Sequence, residues 1–140
     1  MDPKAVFYPM IALALVTFSV LLLIPFVRFR AVLRRRATPE DFELGESEKV
    51  PDGVRLPNRN YMNLLELPVL FYVVCLAFFV TAQVDGVLLM LCWVYVGLRV
   101  IHSAIHLTYN QVLHRLAAFA ASNLVLLTLW LRLLFALRSQ

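Results

Sequence analysis

Residues 6–27 read VFYPMIALALVTFSVLLLIPFV, a run of 22 consecutive positions without a charged side chain. A helix needs about 20 mostly apolar residues to cross a hydrocarbon core of about 30 Å, so this run is long enough to span a membrane. A cleaved signal peptide would have a shorter apolar stretch of roughly 7–15 residues, followed by a small-residue cleavage site. Because neither feature is present, the sequence predicts a retained transmembrane helix.

Three further apolar segments follow, at about residues 60–82, 87–107 and 115–137, and a polar loop at 28–59 separates the first two. The composition agrees, since 61% of the residues are hydrophobic and only 16% are charged, which is unusual for a soluble globular protein. Transmembrane strands would alternate apolar and polar residues, whereas these runs are apolar on every side. The sequence therefore predicts an all-α, integral membrane four-helix bundle, with residues 1–140 forming a single domain.

The long loop has a basic half followed by an acidic half. It contains eight of the thirteen lysines and arginines when counted through Asn60, and the positive-inside rule therefore places it in the cytoplasm and both termini on the other side. A basic run directly after a span is more typical of a membrane-surface anchor than of a nucleic-acid patch. The basic residues are Arg28, Arg30, Arg34, Arg35 and Arg36, and the acidic ones are Glu40, Asp41, Glu43, Glu46 and Glu48.

Three other polar or reactive residues in the spans have simpler interpretations. Cys75 and Cys92 are expected to be unpaired thiols that pack as small hydrophobic side chains, rather than a disulfide or a metal pair. Arg132 lies near a helix end, where its long side chain can extend to the interface. No functional role is predicted for these three residues.

Ionisable side chains recur at helical spacing at the start of the second span. Arg59, Asn63 and Glu66 are four and three residues apart, so they share one helical face. Pro68 follows closely, and it is expected within the first turns of the span, where its missing N–H group is tolerated.

The third span has a matching stripe, formed by Arg99, His102 and His106 and extended by Tyr95. On the fourth span Arg115 begins a face that continues through Phe119 and Ser122. With the long loop in the cytoplasm, all three stripes lie near the cytoplasmic side of the membrane. The pattern therefore predicts that three helices bring polar groups to one depth.

Buried charge inside a membrane is costly, so such residues normally pair with each other or mark a functional site. Pairing of Glu66 with Arg99 would account for one acid and one base, and it would leave Arg59 and Arg115 as excess cations. This excess favours a site for an anionic ligand over purely structural pairing. A metal held by His102 and His106 is the weaker alternative, because no further ligand cluster accompanies them.

These residues resemble a known family, the membrane-associated proteins in eicosanoid and glutathione metabolism (MAPEG), which includes microsomal glutathione transferases, leukotriene-C synthase and microsomal prostaglandin E synthase. The pattern Arg59-x-x-x-Asn63-x-x-Glu66, followed by Pro68, looks like the second-helix glutathione motif of the family. Arg99-x-x-His102, with Arg115 sixteen residues after Arg99, looks like its third- and fourth-helix pattern.

The resemblance implies a homotrimer that binds glutathione near the cytoplasmic side and acts on a lipophilic electrophile or hydroperoxide. By matching positions, Arg115 would face the thiol as the catalytic residue. Where the eicosanoid-producing members have tyrosines this chain has His106 and Phe119, so the acceptor stays open. A non-enzymatic trimer that binds an anionic lipid or a partner in the same cationic cavity is the alternative. Glutathione, as co-substrate, would be held by Arg59, Asn63, Glu66, Arg99, His102, His106 and Tyr109.

Overall fold

The computed structural model of the protein describes residues 2–43, 45 and 47–138, and Glu46 of the acidic half of the loop therefore lies outside the described residues. Four segments are long and apolar enough to cross a membrane, and the described residues contain no β-strand. The α-helices are α1 (Phe7–Leu33), α2 (Asp52–Leu65), α3 (Pro68–Val80), α4 (Gly86–Leu107) and α5 (Val112–Arg138). Together α2 and α3 make the second of the four segments, Asp52–Val80.

The helices around the long loop are longer than predicted. The first continues past residue 27 to Leu33, because arginine is a good helix former and a basic side chain interacts favourably with the C-terminal end of the helix dipole. The second begins at Asp52 rather than near residue 60, with an acid in its first turn. The connection without α-helix thus shortens from the predicted 28–59 to 34–51, and within it lies a short 3-10 helix, Pro39–Phe42.

The second span is broken near its midpoint. The helix α2 ends at Leu65, Glu66 has a non-helical ψ of −100°, and α3 restarts at Pro68. Proline has no N–H to donate to the carbonyl of Leu64, and its ring clashes with that carbonyl in a continuous helix. The prediction that Pro68 lies in the first turns of the span is therefore wrong, because the helix begins sixteen residues earlier than the proline.

The core is apolar and lies between the helices. The rings of Phe71 in α3 and Tyr95 in α4 stack with their centroids 4.5 Å apart. Cys75 and Cys92 are both free and fully buried, with their sulfur atoms 3.7 Å apart across the same two helices. The remaining central residues are Val6, Leu13, Val20, Leu64, Val74, Phe78, Leu88, Val96, Leu126, Leu129 and Leu133.

At one end of the bundle a single carboxylate joins α4 to α5. Asp85 caps α4 by accepting a hydrogen bond from the backbone N–H of Leu88 at 2.7 Å, and its other oxygen pairs with Arg132 at 2.7 Å. Arg132, expected to extend to the interface, is therefore held by an ion pair. At the opposite end, the C-terminal turns of α1 and α4 meet the N-terminal turns of α2 and α5.

Candidate functional site

A cavity of about 490 Å³ opens where α2, α4 and the start of α5 come together. The polar stripes predicted on these three helices meet here, because all three lie at the same end of the bundle. The lining residues are Asn58, Arg59, Met62 and Asn63 from α2, His102 and His106 from α4, and Val112, Arg115, Leu116 and Phe119 from α5.

The charge of this cavity is positive. Arg59 and Arg115 both line it, and no acidic side chain is among the described lining residues. Neither guanidinium forms an ion pair within the described part of the chain. An anion that enters the cavity would therefore meet two guanidiniums without competition from a carboxylate of this chain.

Arg115 is held in place by the turn that precedes α5. Its Nη1 donates a hydrogen bond to the side-chain oxygen of Asn110 at 2.7 Å. Asn110 has a φ of 46°, in the left-handed region that asparagine tolerates better than most residues. Because the backbone N–H of Arg115 also donates to the carbonyl of Gln111 at 3.0 Å, the residue is fixed at both its backbone and its side chain.

His102 has a defined tautomer. Its Nδ1 lies 3.2 Å from the carbonyl oxygen of Arg115, and a carbonyl can only accept, so Nδ1 is the protonated nitrogen. In the neutral ring Nε2 is then an acceptor. This Nε2 is buried and has no hydrogen-bond partner among the described residues, so it is available to a donor from a ligand.

An aromatic cluster closes the apolar side of the cavity. The rings of His102 and His106 lie 5.9 Å apart, and the ring of Phe119 lies 5.8 Å from that of His102. Phe119 also covers the guanidinium of Arg99 at 5.7 Å from the ring centroid. The cavity therefore combines two cations with a histidine pair and an apolar wall.

Arg99 lies beneath the cavity rather than in its lining. It is fully buried, and its Nη2 donates a hydrogen bond to the backbone carbonyl of Asn63. That carbonyl would accept from residue 67 in a continuous helix, and the break at Glu66 and Leu67 releases it. The side chain of Asn63 donates instead to the carbonyl of Arg59 at 2.8 Å.

Two polar contacts near the site were missed from the sequence. Ser103 in α4 donates to the side-chain oxygen of the fully buried Asn60 in α2 at 3.2 Å. Asn110 orients Arg115, as described above. The available signals were Asn60 next to a predicted stripe and Asn110 in a tight turn. Neither position reveals its partner, because Ser103 lies far from Asn60 in the sequence and the contact between Asn110 and Arg115 depends on the geometry of the turn.

Besides Arg99, two further predicted site residues lie outside the cavity lining. Glu66 is exposed at the break between α2 and α3, and it forms no ion pair with Arg99 in the described chain. Tyr109 is 59% exposed in the linker before α5, where its hydroxyl lies 3.1 Å from Nδ1 of His114. The internal Glu66–Arg99 pair considered for the bundle is therefore absent, and Arg99 uses a backbone carbonyl in its place.

The two histidines of the cavity lack further metal ligands in the described structure. No group of three or more His, Cys, Asp or Glu side chains lies close enough together among the described residues to hold a metal ion. Structural and catalytic zinc sites in proteins normally use three or four such ligands. The geometry therefore offers no support for the metal alternative.

The four spans and the cavity lined by two arginines at one end define an integral membrane, multi-pass helical protein with a cationic cavity. Comparison with protein-family models matches residues 6–135 to the MAPEG family. Because the match covers nearly the whole chain, the protein belongs to the MAPEG family, which indicates a glutathione-related transferase or synthase type of function. Comparison with curated proteins gave no match, and comparison with solved structures also gave none.

Proposed function

We propose that this protein binds glutathione in the cavity between α2, α4 and α5 and uses it as the nucleophile in a transferase or peroxidase reaction on a lipophilic substrate. The observation that supports this proposal most strongly is that Arg59 and Arg115 both line a cavity whose described lining has no acidic residue. Glutathione has two carboxylates, one ammonium and one thiol, so its net negative charge complements the positive charge of the two arginines. The volume of about 490 Å³ is also within the usual range of small-molecule sites.

The binding groups divide by charge and hydrogen-bonding type. Arg59 takes a carboxylate, because a guanidinium presents a fork of donors that matches carboxylate geometry. The free Nε2 of His102 accepts an amide N–H of the tripeptide. His106 and Asn63 line the same wall. Arg99 holds Asn63 in position by donating a hydrogen bond to the backbone carbonyl of Asn63.

Arg115 faces the thiol in this proposal. A free thiol has a pKa of about 8.5, and a guanidinium beside the sulfur favours the thiolate, which is the reactive form. The thiolate attacks an electrophilic carbon, a carbon–sulfur bond forms and the leaving group departs with the electron pair. With a hydroperoxide the sulfur attacks the terminal oxygen and releases the alcohol, and a second glutathione then forms the disulfide and releases water.

The apolar part of the lining suits a membrane-soluble acceptor. Met62, Leu116 and Phe119 line the cavity beside the cations, and Leu116 and Met62 are more than half exposed. A lipophilic electrophile dissolved in the bilayer can therefore approach the sulfur between helices without crossing water.

A homotrimer completes the proposal. Glu66 is exposed within the second span, and a carboxylate facing lipid at such a depth is costly. Contact with a neighbouring subunit removes Glu66 from lipid, and it lets this carboxylate take the ammonium of glutathione at a site shared between subunits. Tyr109 then lies at the cytoplasmic rim of that site.

The test is turnover by purified protein with glutathione and either an aryl halide or an organic hydroperoxide. We expect Arg115→Ala to lower the rate by about 10²-fold, in line with the loss of one charged group that stabilises a developing anion. Arg138→Ala, at the other end of α5, is the matched control and keeps the rate. Native mass spectrometry verifies that both variants keep the subunit composition of the wild type. Unchanged turnover in Arg115→Ala contradicts the role of Arg115.

The second candidate function is a non-enzymatic membrane protein that holds an anionic lipid in the same cavity. Four apolar residues of the lining favour it, because they could pack against an acyl chain: Met62, Val112, Leu116 and Phe119. Thermal stability in detergent distinguishes the two functions, since a ligand stabilises the state that binds it. Stabilisation by millimolar glutathione supports the enzyme, whereas no response to glutathione together with stabilisation by anionic lipid that is lost in Arg59→Ala and Arg115→Ala supports the lipid-binding alternative.

A further inference from the structure

A second cationic region lies at the end of α1, away from the glutathione cavity. Two hollows of about 280 Å³ and 370 Å³ meet there, and Arg30 and Arg34 line both. The first hollow lies between α1 and the start of α2, and its other lining residues are Val27, Ala31, Arg36, Pro51, Gly53 and Val54. The second lies on the outer side of α1, where Phe26, Phe29 and Leu33 accompany the two arginines.

The end of α1 is shaped so that three arginines converge. Arg35 has a φ of 53°, a left-handed conformation in which glycine is the usual residue. The N–H of Arg36 bonds to the carbonyl of Ala31, and the N–H of Arg35 bonds to that of Val32, both at 2.9 Å. These two hydrogen bonds turn the chain back sharply at the end of α1, and the turn brings Arg36 to the hollow that Arg30 and Arg34 line.

The described acidic residues of the loop do not neutralise the charge of these arginines. Arg30, Arg34 and Arg36 form no ion pair with any described residue. The carboxylate of Asp41 is occupied within the loop, since it accepts from the N–H of Thr38 at 2.9 Å and from the hydroxyl of Ser47 at 2.8 Å. The region therefore keeps a net positive charge available to an external anion.

The height of this region in the membrane indicates which anion it meets. The 27 residues of α1 extend about 40 Å, so the helix is longer than a hydrocarbon core of about 30 Å. Its last turns therefore reach the layer of lipid headgroups. Phe29 and Leu33 are 72% and 82% exposed and alternate with the arginines, so acyl chain and phosphate both find a matching surface.

We propose that the end of α1 is a binding site for one anionic phospholipid, independent of the glutathione site. The phosphate lies among Arg30, Arg34 and Arg36, where guanidiniums give forked hydrogen bonds to its oxygens. The first carbons of an acyl chain pack along Phe26 and Phe29. This differs from diffuse attraction of basic residues to a charged surface, because a site requires particular arginines and diffuse attraction counts all of them equally.

The test uses delipidated full-length protein in neutral detergent, with phosphatidylglycerol, phosphatidylcholine and inorganic phosphate as separate probes. Native mass spectrometry counts bound lipid and gives its affinity, and thermal unfolding reports the stabilisation. We expect phosphatidylglycerol to bind and stabilise, phosphatidylcholine to do so much less, and inorganic phosphate at the same concentration to have no effect, because it lacks an acyl chain.

Single variants separate a site from diffuse attraction. Arg30→Gln and Arg34→Gln should each weaken phosphatidylglycerol binding by about five-fold, the effect expected for one basic residue near anionic lipid. Arg35→Gln removes the same charge from a neighbouring residue that lines neither hollow, and it should leave the affinity unchanged. Equal weakening in all three variants overturns the site, and so does equal binding of phosphatidylcholine or of inorganic phosphate. Unfolding without lipid verifies that each variant is folded.

Discussion

The guanidinium of Arg99 donates a hydrogen bond to the backbone carbonyl of Asn63, 36 residues earlier in the chain, at the point where the second span breaks. The bond ties α4 to α2 directly below the candidate glutathione cavity. A fully buried guanidinium thus satisfies a carbonyl that the break releases, and the two features depend on each other.

Replacement of Arg99 should therefore cost both stability and ligand response. In Arg99→Met the carbonyl of Asn63 loses its partner in a buried position, which typically costs about 1–3 kcal/mol in the free energy of unfolding. Thermal unfolding in detergent, with and without glutathione, measures both effects. Arg132→Met is the control, because its ion pair with Asp85 is partly exposed and such pairs contribute about 0–1 kcal/mol. A smaller loss in Arg99→Met than in Arg132→Met would show that the bond has no structural role.

The break itself can be removed by Pro68→Ala. An alanine restores the missing N–H group and favours a continuous helix, so the carbonyl of Asn63 should return to the helix and release Arg99. We expect stabilisation by glutathione to decrease, although helix propensity improves. Pro25→Ala, at an interior proline of α1, should leave the glutathione response unchanged. An undiminished response in Pro68→Ala contradicts a role for the break in shaping the site.

Arg35 offers a stability test of the turn after α1. A non-glycine residue in the left-handed conformation costs roughly 1–2 kcal/mol, so Arg35→Gly should raise the free energy of unfolding by about 1 kcal/mol. Leu33→Gly, in the last helical position of α1, should lower it by about 1 kcal/mol, because glycine is a poor helix former. Denaturant unfolding in mixed micelles compares the two, and a destabilised Arg35→Gly would show that the turn is not as described.

The turn that Asp41 stabilises should be weaker in acid than at neutral pH. Hydrogen bonds from the backbone of Thr38 and the hydroxyl of Ser47 lower the pKa of Asp41 below its usual value near 3.8. A lowered pKa in the folded state means that the carboxylate stabilises the loop above the unfolded pKa and loses this effect as pH falls through the folded pKa. Hydrogen exchange of the Thr38 amide should accelerate in Asp41→Asn at neutral pH. Unchanged exchange relative to the wild type would contradict the capping role of Asp41.

The spans could be predicted because a membrane imposes a simple length and polarity requirement on each of them. The start of α2 at Asp52 could not, since Pro51, Gly53 and Pro57 are typical turn residues and the segment is polar. Tertiary packing against α1 outweighs these local preferences. Because the predicted start of the second span was too late, Pro68 was placed in its first turns, whereas it breaks the span near its middle.

The site residues were predictable to the extent that one helix carried several of them. The spacing of Arg59 and Asn63, and of His102 and His106, identified faces that do line the cavity. Contacts between distant segments carried no such signal, and the pair of Asn60 and Ser103 is the clearest case. For the same reason the expected partner of Arg99 was the carboxylate of Glu66, whereas the structure uses a backbone carbonyl that only the break makes available.

The most direct measurement of the central claim is a structure of the detergent-solubilised protein at saturating glutathione. We predict density for an extended tripeptide beside Arg59 and His102, with its sulfur next to the guanidinium of Arg115. Density for a lipid in that cavity, or an empty cavity despite saturating glutathione, would contradict the claim that Arg59 and Arg115 form a glutathione site.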